Sequence, residues 1–209
     1  MIQELNCTKT CQILIFSGLL AGVCYTGDKI VFSVATSDML RRAAADSAIH
    51  GLIGLLSWAV VVSPGLKFDT WLSCGLCGLL ACSVDIDHFI ASRSLNLKGA
   101  LNLKNRPFFH STTLLLIVTV MIWLMASILK SIKLKKLTLI YATSWLTHHL
   151  RDAVRRGLWF PPLGSSPPVP EVLHVSGTVV LALCMHLFYS FYFQKLATDN
   201  LLVIKGDNV

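Results

Sequence analysis

The chain of 209 residues is 54% hydrophobic and only 14% charged, with a mean hydropathy of +0.65. So apolar a composition excludes an ordinary soluble domain and predicts a single integral membrane domain over residues 1–209, with the lipid bilayer as its first partner. The formal charge of +7 is no nucleic-acid footprint, because the basic residues fall between apolar runs and form no stripe with interleaved aromatics.

The apolar runs predict an all-α polytopic bundle of about six transmembrane helices, five to six by length, with spans near 11–35, 43–62, 70–90, 110–129, 137–152 and 172–193. The first lacks the basic leader of a cleaved signal peptide and reads as a retained helix ending near Asp28 and Lys29. Asn6-Cys7-Thr8 matches a glycosylation sequon too close to the membrane to be used, and Gly18 and Gly22 suit a close helix contact. In the second span Asp46 and His50, four apart, share a face, and the span stops at Ser63-Pro64-Gly65. The third closes on Asp85-Ile86-Asp87-His88, where helical spacing joins Asp85 to His88 and turns Asp87 away unless the helix is already unwinding. Cys74-x-x-Cys77, with no second pair, reads as small packing residues, and the odd total of seven cysteines argues against a secreted disulfide framework.

A basic loop carrying Arg93, Lys98, Lys104 and Arg106 leads to Pro107 and then to His110-Ser111, which open the fourth span. Lys130, Lys133, Lys135 and Lys136 form an interfacial connector suited to lipid headgroups. The fifth span ends in His148-His149-Leu150-Arg151-Asp152, where Asp152 can share a face with either histidine. A proline-rich cover from Pro161 to Pro170 precedes the sixth span, whose His174 and His186 lack carboxylate neighbours in register and read as structural.

Alternating six spans across a bilayer carries every one of these carboxylate–histidine clusters to the same side. Buried ionisable groups are costly and mark sites. Histidine with aspartate, and no converging cysteine, suits zinc, manganese or iron, as one ion or two. The candidate metal ligands are His50, Asp87, His88, His110, His148 and His149, with Asp85 and Asp152 as catalytic carboxylates. Arg106, Arg151 and Arg155 are placed to hold an anionic headgroup, and Asp46, Asp28 and Ser111 to support the site.

Five ordered segments carry a resemblance: Asp46-Ser47-Ala48-Ile49-His50, Ser83-Val84-Asp85-Ile86-Asp87-His88-Phe89, Leu97-Lys98-x-Ala100-Leu101, Arg106-Pro107-Phe108-x-His110 and Ser144-Trp145-x-x-His148-His149-x-Arg151-Asp152. With Gly157-Leu158-Trp159 they resemble the transmembrane protein 267 family, animal multi-pass membrane proteins of unassigned biochemical function. More distantly, the order is similar to bacterial inner-membrane metal-dependent hydrolases of the LexA-regulated type. His50, Asp85, Asp87, His88, Arg106, His110, Ser111, His148 and Asp152 match positions of that pattern, while Val84 replaces its proline, Asn105 its first loop histidine and Pro107 its glycine.

Two functional readings stand. One is a membrane-embedded metal-dependent hydrolase acting on a lipid-like or phosphorylated substrate. The other is a non-enzymatic membrane protein whose polar cluster is buried glue or a partner site. Transport fits less well, because the polar residues gather near one interface and leave the midplane bare. Lys and Arg divide 10 to 8 between the two sides of the six-span arrangement, too evenly to orient it. The C-terminal Gly206-Asp207-Asn208-Val209 shows no retention signal, so the organelle stays open.

Overall fold

The computed structural model describes residues 2–34, 38–65 and 67–206. Ala35 at the end of the first expected span, the C-terminal Asp207, Asn208 and Val209, and the Asn6 side chain of the sequon lie outside the described residues. The chain is all-α, its helices running α1 (Ile2–Val34), α2 (Met39–Val62), α3 (Phe68–Ser83), α4 (Ile86–Ser92), α5 (Leu97–Leu101), α6 (Thr112–Ile128), α7 (Ile132–Arg156) and α8 (Glu171–Gly206). A 3-10 turn over Phe108–His110 precedes α6, and two antiparallel two-residue strands, β1 (Trp159–Phe160) and β2 (Gly164–Ser165), shape the loop before α8.

Among the described residues four segments are long and apolar enough to cross a membrane: Thr8–Ser33, Met39–Val62, Phe68–Ser92 and Glu171–Phe193. Helix α6, with 17 residues, is apolar but shorter, rising about 25 Å at roughly 1.5 Å per residue. Helix α7 is 25 residues long but carries lysines in its first turns and Arg151, Asp152, Arg155 and Arg156 in its last. Its middle packs against α2, α3, α6 and α8 and so faces protein rather than lipid, while Lys133, Arg155 and Arg156 stay exposed at its ends. Leu14, Ile15 and Leu19 on α1, Ile117, Val120 and Met121 on α6, and Leu187 and Phe191 on α8 stay exposed, as lipid-facing surface should.

Helices α2 and α7 form the spine. Leu20 and Cys24 of α1 and Ala182 of α8 pack with Ile49, Ile53 and Val60 on one side of α2. On the other side, Trp58 and Ala59 meet Cys74 and Cys77 of α3 and Leu139 and Ile140 of α7. Trp58 is fully buried, its indole N–H donating to Ser73 Oγ at 2.9 Å. Cys74 and Cys77 are buried and free, filling the packing role their sequence surroundings predict.

Two local expectations are corrected. A Cβ added at Gly18 or Gly22 would meet nothing within 4 Å, so those glycines do not mark the close helix contact. That seam lies between α2 and α3, where a Cβ at Gly78 would sit 2.7 Å from the Gly51 carbonyl oxygen and one at Gly54 would sit 2.9 Å from Ala81 Cβ. Only hydrogen fits there, and the helices close accordingly. The second correction concerns where α2 begins. Asp38 caps it, accepting from Leu40 N–H at 2.9 Å, so the helix begins at Met39 rather than near residue 43, and Arg41 and Arg42 lie in its first turn.

Candidate metal centre

The tight α2–α3 seam sets His50 against the end of α3, where the chain turns through Val84 and Asp85 into α4. The 3-10 turn brings in His110, and the last turns of α7 supply His148 and Asp152. His50, Asp85, His88, His110, His148 and Asp152 fall into three overlapping triads, His50–Asp85–His148, Asp85–His88–His110 and His110–His148–Asp152, each with ligand atoms within 4.8 Å of one another.

Each central ring is oriented by what its outer nitrogen touches. A carbonyl can only accept, so His148 Nδ1–H donates to Ala81 O at 2.8 Å and His88 Nδ1–H donates to Ala100 O at 3.0 Å. His110 Nδ1–H donates to Asp87 Oδ2 at 3.3 Å. The three Nε2 atoms are thereby left to face the carboxylates, the arrangement that metal-binding histidines take from their outer partners.

The inner distances suit an ion. Four ligands held tetrahedrally at ~2.0–2.1 Å stand roughly 3.3–3.4 Å apart. His110 Nε2 lies 3.3 Å from Asp152 Oδ2 and 3.4 Å from His148 Nε2, which is 3.5 Å from the same carboxylate oxygen. Asp85 Oδ1 lies 3.5 Å from His110 Nε2 and 3.6 Å from His148 Nε2. His50 Nε2 is 3.4 Å from Asp152 Oδ1, and its ring stacks on His148 at 3.8 Å between centroids. Both ring nitrogens of His50 are buried without a hydrogen-bond partner, an arrangement that costs free energy unless something else ligates them. Burial opposes charge on His110, yet the carboxylates of Asp152, Asp85 and Asp87 outweigh it and hold its pKa up at about 11.

Other expected site residues take supporting positions. Asp87, almost fully buried, turns away from the centre to accept from Phe109 N–H at 2.5 Å and from His110. His149 is satisfied elsewhere, its Nε2–H donating to Phe109 O at 2.9 Å and its Nδ1 accepting from Thr112 Oγ1 at 3.3 Å. Ser111 caps α6, accepting from Leu114 N–H at 3.1 Å. Arg151, only 2% exposed, is held by Asp28 at 2.6 Å and Asp46 at 2.7 Å, with Arg155 completing the network at 3.2 and 2.9 Å. These four groups tie α1, α2 and α7 together and leave Arg151 no free face for a headgroup.

Beside the cluster lies a cavity of about 480 Å³. Asp85, His88, His110 and Asp152 line it together with Arg106, Arg155 and Arg156, and Leu40, Ile86, Phe89, Leu97, Leu101 and Trp159 supply much of the rest. Arg106 is fixed at its edge by donating to Gly157 O at 3.0 Å and to Arg156 O.

Comparison with known proteins places the chain in a family. The chain is 37% identical to mouse transmembrane protein 267 over 186 residues, covering 88% of this chain and 86% of that protein. The chain belongs to the transmembrane protein 267 family. The Bos taurus member is 38% identical over 172 residues, covering 79% of this chain and 78% of its own, and the Danio rerio member is 35% identical over 193 residues, covering 90% and 86%. No family model matches the chain, and no solved structure does.

For this member of the transmembrane protein 267 family, the sequence reading missed the partners that orient the rings. The Ala81 and Ala100 carbonyls carry no signal in a sequence, because any residue offers a carbonyl. Arg156 at the cavity edge was also passed over, although Arg155-Arg156-Gly157 stands beside the segment that was singled out. The α2–α3 seam did leave a readable sign, Gly51-x-x-Gly54 on α2 opposite Gly78 on α3.

Proposed function

We propose that this chain is a multi-pass membrane protein with a metal-dependent hydrolase site at one end of its helix bundle, acting on a lipid-like or phosphorylated substrate. The observation that carries this reading is the set of 3.3–3.5 Å edges joining His110 Nε2, His148 Nε2 and Asp152 Oδ2, with both outer nitrogens already committed. Three protein ligands with one position left open are the pattern of catalytic rather than structural zinc. His110, His148 and Asp152 would hold the ion, with Asp85, His50 and His88 near enough to share it or to hold a second. A divalent ion there would supply Lewis acidity toward an ester or phosphoester oxygen and lower the pKa of a water.

The chain's own groups do the rest. The Ala81 carbonyl and Asp87 fix the histidines, so ring reorientation is not needed at the moment of reaction. Asp85 lines the cavity and serves as the group that accepts a proton from an attacking water.

The test is turnover of short-chain carboxylic esters and phosphoesters by the purified protein supplied with zinc, manganese or iron. Activity in the wild type, with at least a ~100-fold loss in Asp152→Asn at unchanged thermal stability, supports the reading. A fully metal-loaded, folded protein inert toward both ester classes contradicts it.

A further inference from the structure

Arg106, Arg155 and Arg156 line the cavity, and with the buried Arg151 beside them they divide into two kinds. Arg151 and Arg155 are neutralised by Asp28 and Asp46. Among the described residues Arg106 and Arg156 have no carboxylate within 4.0 Å, although both line the cavity. Arg106 is also pre-oriented, since two of its N–H groups are spent on the Gly157 and Arg156 carbonyls while the others of its planar fork stay open. Two guanidinium groups with no carboxylate in ion-pair contact, one of them held rigid, disfavour each other and suit a doubly charged oxyanion.

The remaining wall has the opposite character. Leu40, Ile86 and Leu101 line the same cavity yet are 65%, 54% and 45% exposed. They come from the start of α2, from α4 and from α5, so the wall is assembled by three separate elements. A small polar metabolite would gain nothing from these side chains, whereas a hydrocarbon chain would bury them. The volume, about 480 Å³, falls within the range of small-molecule sites and holds a headgroup with the first part of a chain.

We propose that the cavity binds a phosphate-bearing lipid, its phosphate on Arg106 and Arg156 and its chain along Leu40, Ile86 and Leu101. This names the substrate class of the hydrolase reading, and it rests on that reading only for taking the bound lipid as a substrate. The phosphate then lies in the same cavity as Asp85, His110 and Asp152, the groups assigned to the reaction.

The experiment uses full-length protein in a neutral detergent, loaded with zinc, and native mass spectrometry against three probes: dioctanoyl phosphatidic acid, dioctanoylglycerol and inorganic phosphate. The phosphatidic acid binds, and the other two bind at least ~10-fold more weakly, as expected when charged hydrogen bonds and an apolar contact each contribute. Arg156→Gln, an exposed position, weakens the phosphatidic acid ~10-fold, and Arg106→Gln/Arg156→Gln weakens it further. Zinc content stays at the wild-type value in both variants. Equal binding of dioctanoylglycerol, equal binding of inorganic phosphate, or an unchanged affinity in folded Arg156→Gln each overturns the lipid site. Arginine-dependent lipid binding by a protein that takes up no metal would instead refute the hydrolase reading and leave the lipid site standing.

Discussion

Asp87 offers the sharpest separation between a ligand and a group that acts through one. Its Oδ2 accepts from Phe109 N–H at 2.5 Å and from His110 Nδ1 at 3.3 Å, while Oδ1 is buried without a partner. Asp87→Asn keeps an oxygen able to accept both bonds but removes the charge that makes the His110 ring a stronger donor to a cation. Loss of such an outer partner costs roughly 10–100-fold in metal affinity, about 1.4–2.8 kcal/mol. Asp87→Ala adds a second penalty, because the Phe109 N–H is orphaned, at about 1–3 kcal/mol of stability. The assay is zinc competition against a chromophoric chelator, beside thermal unfolding followed by tryptophan fluorescence. Asp87→Asn should bind zinc at wild-type stoichiometry with a 10–100-fold higher Kd and near-wild-type unfolding. Complete loss of stoichiometric zinc would make Asp87 a ligand itself, and an unchanged Kd would refute the outer-partner argument altogether.

Three further outcomes follow from the same geometry. Arg151→Met leaves Arg155 as the remaining partner of Asp28 and Asp46 and should cost about 1.5–3 kcal/mol for the charged hydrogen bonds lost, read as a lower unfolding temperature; Arg151→Lys should restore little, since an ammonium cannot reproduce the fork. His50→Phe removes two orphaned buried nitrogens, so chelator-treated protein should gain about 1–3 kcal/mol while zinc uptake falls; a loss of stability in the chelated state would contradict this. Gly157 holds a φ of +70°, and an added Cβ would fall onto the Ser166 carbonyl. Gly157→Ala should therefore destabilise by more than about 1 kcal/mol and release Arg106, measured as a lower unfolding temperature.

Helical spacing made part of the centre legible without a structure. His148 and Asp152, four apart, do share a face, with Nε2 and Oδ2 at 3.5 Å, and Asp85 and His88, three apart, meet at 3.9 Å. Asp87 turns away as the same geometry requires. What spacing could not decide was the division of labour. Arg151 lies one residue from Asp152, and its partners Asp28 and Asp46 come from α1 and α2, so only tertiary packing reveals that it is spent on structure. His149 neighbours a central ligand in sequence but points to the Phe109 carbonyl, which the 3-10 turn positions. Helix α2 begins before its expected span of 43–62, because Asp38 caps it and Arg41 and Arg42 fall within its first turn.

The central claim is that the cluster holds a metal. Elemental analysis of detergent-purified wild type beside His148→Ala/Asp152→Ala tests it most directly. One or two equivalents of zinc, manganese or iron in the wild type, lost in the folded double variant, is the result the geometry predicts. Well-folded wild type that takes up no metal after supplementation would contradict it, and the six residues would then be a buried polar junction.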